Sequence, residues 1–111
     1  MIRRPDVEVF FTDGVLQLNI GEDELRMLVG IALQKMTIGT AETQGEIEFV
    51  IFSPDVSTCI RDHVQYQRMK TIPWPVWAKV DDYGSPEFLS GELGYPTQAR
   101  YTLTLLLPEE Y

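Results

Sequence analysis

The hydrophobic positions of this chain change their period several times, and each change marks an expected element. Residues 7–11 (VEVFF) and 15–20 (VLQLNI) flank Thr12, Asp13 and Gly14. In the second run Leu16, Leu18 and Ile20 recur every second residue, the spacing of a strand with one face inward. Asp-Gly supplies the positive φ angles of a tight turn, so the pattern predicts a β-hairpin. Glu22, Asp23 and Glu24 then suit the positive end of a helix dipole. Leu25, Leu28, Val29, Ala32, Leu33 and Met36 follow at helical spacing, which predicts a helix over 22–37. Met27 and Ile31 fall off that stripe and are also apolar. The favoured reading is a central helix buried on more than one side; the other is a subunit interface. Gly39 and the polar residues 40–44 end the helix in a loop.

Residues 46–52 read as a central strand with Ile47, Phe49 and Ile51 inward and Val50 and Phe52 on its other face. Ser53, Pro54 and Asp55 supply a hydroxyl cap, a first-turn proline and a carboxylate. They predict a second helix over 53–69, with Val56, Ile60, Val64 and Gln67 inward and Arg61, Asp62, Gln65 and Arg68 outward. Pro73 and Pro75 bracket Trp74, and neither can donate to a β-ladder, so that stretch is a connector or an edge. A strand follows over 76–80. Residues 83–99 carry Gly84, Pro86, Gly91, Gly94 and Pro96 and lack either period, so they read as one long loop, a functional or mobile feature. The last strand, 101–107, turns Tyr101, Leu103, Leu105 and Leu107 to one face and Thr102 and Thr104 to the other, and Pro108 stops it. The expected fold is a single α+β domain over 1–111, in the order ββαβαββ. Its sheet is mixed or antiparallel with about five strands, and two helices pack on one face.

Composition narrows the partners. The formal net charge is −8, so repulsion from phosphates disfavours general duplex binding and permits basic protein partners. The apolar fraction of 44% is enough for one core. No apolar run approaches a membrane span, and Arg3 and Arg4 lead into Pro5 and Asp6, not into a secretory apolar stretch. Cys59 is the one cysteine, which excludes an internal disulfide and a cysteine-rich zinc site; a reducing, cytoplasmic location is the simplest expectation.

Little here is chemistry-bearing. On the expected second helix Cys59 and His63 stand four apart on one face, the pair that nucleophilic catalysis uses. No other histidine or cysteine completes a triad or a metal site, and a core cysteine beside a marginal histidine is the favoured reading. Asp81 and Asp82 are strand neighbours and point apart. Glu46 and Glu48 share a face that reads as solvated, as do the Glu22–Glu24 and Glu109–Glu110 clusters. No phosphate loop, serine elbow, EF-hand or paired-histidine zinc motif occurs. No cofactor or metal is expected, and a non-catalytic protein is favoured over an enzyme.

One segment stands apart. Residues 63–80 contain no acidic residue, yet hold Arg68, Lys70 and Lys79, both tryptophans and the single histidine. Basic residues at a helix end and a proline-rigid connector account for much of that. With Tyr66 and Tyr83, the candidate partner-binding set is Tyr66, Arg68, Lys70, Trp74, Trp77, Lys79 and Tyr83, residue types common at interface hot spots. The favoured function is a small acidic protein-binding module of the inhibitor, immunity or adaptor kind, with self-association through the 22–37 helix as a companion expectation. A single-stranded nucleic-acid binder using Tyr66, Arg68, Lys70, Trp74, Trp77 and Lys79 of segment 63–80 is the alternative. A small enzyme centred on Cys59, His63 and Tyr66 is the third.

Overall fold

The computed structural model describes residues 6–38 and 47–111. The expected loop at 40–44 and Glu46 of the Glu46/Glu48 pair lie outside them. The elements are β1 (Val7–Phe11), α1 (Asp13–Leu16), α2 (Glu22–Ile38), β2 (Phe49–Ser53), β3 (Cys59–Arg61), β4 (Val64–Arg68), β5 (Val76–Asp82), α3 (Pro86–Leu93) and β6 (Tyr101–Leu106). A 3-10 turn, Pro108–Glu110, closes the chain. The six strands form one sheet in the order β1-β6-β5-β2-β4-β3. Pairs β1/β6 and β2/β4 are parallel; β2/β5, β3/β4 and β5/β6 are antiparallel. The class is α+β with a mixed sheet, as the pattern predicted, with six strands in place of about five.

Strand alternation sorts the side chains into two faces. On the inner face Val50, Phe52, Val76, Ala78, Leu103 and Leu105 meet Leu28, Ala32, Leu33 and Met36 of α2 in one core that includes Val15 and Ile72. Of the three residues expected inward, Ile47 is buried in this core, but within β2 itself the expected faces are reversed. Val50 and Phe52 are fully buried, while Phe49 and Ile51 lie half-buried on the outer face. An apolar strand on both faces gives no parity signal, and α2 decides which face becomes the core.

Three expected elements fold differently. The hairpin at 12–14 is absent. The Thr12 hydroxyl caps α1 by accepting from the Val15 N–H, so Asp13 and Gly14 begin a helical turn. Strand β1 instead takes the distant β6 as its partner, and Leu16, of the supposed second strand, is 54% exposed.

The helix expected over 53–69 is a hairpin. The Ser53 hydroxyl accepts from the N–H of Asp55, two residues on, which makes a local turn and no helix cap. Asp62 (φ 50°) and His63 (φ 66°) then form the left-handed corner between β3 and β4. Val56, Thr58, Ile60 and Val64 are β-branched and favour the strands.

The long loop at 83–99 contains α3. The Ser85 hydroxyl accepts from the Phe88 N–H, Pro86 opens the helix, and Gly94 (φ 80°) ends it in the left-handed conformation.

Candidate recognition face

The outer face of the sheet carries the side chains left over from the core, and the strand registers arrange them in rows. One row runs across all six strands as Phe10, Thr104, Lys79, Phe49, Val64 and Arg61. Beside it run Leu106, Trp77, Ile51, Tyr66 and Cys59. At the other side stand Glu8, Thr102 and Asp81. Ile51 thus lies between Trp77 and Tyr66, joining two of the residues singled out from the sequence.

The carboxy-terminal turn folds back over these rows. Tyr111 packs on Phe49 at 5.5 Å and on Trp77 at 5.6 Å between ring centroids, and Phe49 meets Trp77 edge-on at 6.0 Å. Edge-to-face pairs at these separations are favourable beyond the area they bury. The Lys79 ammonium lies 5.9 Å from the Tyr111 ring and 3.3 Å from Asp81, so its charge is already matched. Along β3 and β4 the Arg61 guanidinium sits 4.6 Å over Tyr66.

Next to the aromatic cluster a cleft of about 570 Å³ opens. Its floor is Phe10, Thr102, Thr104, Lys79 and Asp81, and α3 with its approach walls it through Leu93 and Tyr83. Tyr83 also stacks obliquely on Phe88 at 6.3 Å. Glu110 and Tyr111 form the opposite wall. Glu110 is fixed there, accepting from the Thr12 hydroxyl at 2.6 Å, the Leu107 N–H at 2.8 Å and the Gly14 N–H at 3.3 Å. The Thr12 and Leu107 donors hold its carboxyl below the usual glutamate range. A Cβ on Gly14 would come within 2.8 Å of that carboxylate and 2.7 Å of Leu107 Cδ1, so any side chain there must displace one or both of them. Behind the far end of β5, Arg100 donates twice to Asp82 at 2.7 Å, which lowers the Asp82 pKa and raises that of Arg100.

Five of the seven sequence candidates lie on this face, four of them in the aromatic rows or the cleft. Trp77 lies in the aromatic cluster, Lys79 and Tyr83 line the cleft, and Tyr66 lies beyond Ile51. Arg68, at the end of β4, is exposed and uses its N–H to donate to Thr58. Lys70 and Trp74 lie in the connector before β5; both are exposed, Trp74 by 50%, and it is the outward tryptophan of the two. Phe10, Phe49, Thr102, Thr104, Glu110 and Tyr111 were not among the candidates. For Thr102 and Thr104 the one signal was the parity of the last strand, which set them apart from the Leu103 and Leu105 face.

The Cys59–His63 pairing rested on a helix that does not form. Cys59 is on edge strand β3 opposite Tyr66, and His63 is at the exposed corner of the hairpin. Among the described residues no group of three histidine, cysteine, aspartate or glutamate side chains is placed to hold a metal, and no helix is long and apolar enough to cross a membrane. In comparisons with known proteins, no protein-family model, no curated protein and no solved structure matches this chain.

Proposed function

We propose that this chain is a non-catalytic protein-binding module whose outer sheet face receives a basic, extended segment of a partner protein. The observation that carries the reading is the cleft bordered by Tyr83, Leu93, Lys79 and Tyr111, continuous through Tyr111 with the Phe49–Trp77 cluster. Aromatic rings beside a concave floor that mixes Phe10 with the polar Thr102, Thr104, Lys79 and Asp81 supply both contact area and hydrogen-bonding groups. The rings of this face already attract cations within the molecule, Arg61 on Tyr66 and Lys79 on Tyr111. Lys79 is matched by Asp81, and the whole chain carries −8, so an incoming Lys or Arg side chain meets a favourable field and an incoming phosphate does not.

The test uses tryptophan fluorescence. Trp74→Phe leaves Trp77 as the single reporter, since the chain has two tryptophans. Titration compares a Lys/Arg-rich peptide containing leucine and phenylalanine, its Asp/Glu counterpart, and an oligothymidylate. The expected result is saturable change with the basic peptide, lost in Tyr111→Ala. A stronger, salt-sensitive response to the oligothymidylate would instead make the face a single-strand stacking platform. No response to any of the three would remove the reading.

A further inference from the structure

The two edges of the sheet are built differently. Edge strand β3 is three residues long, carries Arg61, and ends in the left-handed corner Asp62–His63. Short length, charge and a sharp turn are the devices that keep an edge from pairing. Edge strand β1 has none of them beyond a single charge. It is five residues long, reads VEVFF, and contains no proline or lysine. Its strand partner is β6 alone among the described residues.

The backbone of β1 is half satisfied. The Asp6 carbonyl accepts from the Arg100 N–H at 3.0 Å, and the Thr12 N–H donates to the Leu105 carbonyl at 3.1 Å. Even-numbered residues therefore turn their polar groups to β6. By strand alternation Val7, Val9 and Phe11 turn their N–H and C=O groups to the free side. Their side chains belong to the core face, yet all three are only half-buried, while Leu103 and Leu105 of the neighbouring strand are fully buried. Between the edge and α2 runs an apolar groove of about 360 Å³, lined by Val9, Phe11, Leu25 and Val29 with Glu22 and Arg26 at its rim.

We infer that β1 pairs antiparallel with β1 of a second copy, extending the sheet across a two-fold axis at Val9. The strand is self-complementary in that register. Val9 meets Val9, and Val7 meets Phe11, so every free N–H and C=O of the three residues finds a partner. Their side chains enter the paired grooves beside Leu25 and Val29 of the other copy. Charge favours the same register: Glu8, the one charged residue of β1, falls opposite Phe10 and not opposite its own copy. Each groove also brings one acid and one base to the axis, Glu22 and Arg26, which bond at 2.7 Å within one helix. An isologous contact of this kind closes as a dimer and leaves no further β1 edge. Its contacts are the β1 backbone and the core-face side chains Val7, Val9 and Phe11, whereas the binding reading rests on outer-face side chains, so Val9→Lys and Tyr111→Ala test the two separately.

The test is light scattering coupled to size exclusion, with hydrogen exchange on the same sample. Wild type is expected at twice the chain mass of 12.7 kDa, with slow exchange at the amides of Val7, Val9 and Phe11. Val9→Lys, which sets two ammonium groups against each other at the axis, is expected to return the single-chain mass with an unchanged circular dichroism spectrum. Should that variant fold poorly, the wild-type exchange rates still decide. A monomer at high concentration, a dimer unaffected by Val9→Lys, or fast exchange at those three amides would each overturn the inference.

Discussion

The Thr12 hydroxyl donates to the Glu110 carboxylate at 2.6 Å across a sequence separation of 98 residues, tying the end of β1 to the end of the chain. The bond matters for more than the two residues it joins. Glu110 and Tyr111 make one wall of the cleft, so the latch that holds Glu110 also places Tyr111 over Phe49 and Trp77.

The latch gives a pH dependence of definite sign. The folded-state pKa of Glu110 lies below its ordinary value of 4.5. A depressed carboxyl pKa contributes stability that is complete above the unfolded value and is lost as pH falls through the folded one. Glu110→Gln should therefore melt below wild type at neutral pH, and the gap should narrow as pH drops beneath 4.5. Thermal unfolding of both proteins over that range checks it. A gap that widens in acid would show that Glu110 is not held as the ionised form.

Gly14 should resist substitution for a steric reason. Gly14→Ala puts a methyl group into Leu107 and the Glu110 carboxylate. Helix propensity alone would favour alanine by about 1 kcal/mol, and overpacking costs about 1–3 kcal/mol, so the expected outcome is a net loss of stability. Denaturant unfolding measures it, and a stabilised Gly14→Ala would mean that the turn yields without strain.

The corner at Asp62 and His63 separates backbone from side-chain effects. His63→Gly and His63→Val both remove the imidazole, but only valine is strained at φ 66°. Glycine should be the more stable of the two by about 1–2 kcal/mol. Equal stabilities would place the corner outside the left-handed region in solution.

The cap of α3 links stability to the proposed site. Ser85→Ala removes the acceptor of the Phe88 N–H and should cost about 1 kcal/mol. Because α3 presents Leu93 to the cleft, the same change should weaken binding of the basic peptide more than it shifts global unfolding. Parallel titration and unfolding of this variant compare the two losses.

Much of the fold could be read from the chain, and the misreadings have one cause. Helix α2 and strands β5 and β6 announce themselves by strong periods, and their bounds fall close to the expected ones. Ser-Pro-acid occurs twice. At Ser85-Pro86-Glu87 it starts a helix, because Phe88, Leu89 and Leu93 follow at helical spacing and Gly94 stops it. At Ser53-Pro54-Asp55 the same signal precedes β-branched residues and yields a turn. Asp13-Gly14 misled in the same way, since Thr12 offered a helix cap that the hairpin reading ignored. Of the site, Trp77, Lys79, Tyr66 and Tyr83 stood out through residue type. Thr102, Thr104 and Phe49 did not, because they join it through pairings between β1, β6, β5 and β2 that no local window contains, and Tyr111 joins it only by packing on Phe49 and Trp77 from the last turn.

The central claim, recognition by the outer face, is tested most directly by mapping backbone amide shifts while the basic peptide is titrated into labelled protein. The account predicts perturbations concentrated at Phe10, Lys79, Thr102, Thr104, Trp77 and Tyr111, with Leu25 and Val29 unmoved. Perturbations confined to the β1–α2 groove or to the Asp62–His63 corner, with the cleft residues silent, would contradict it.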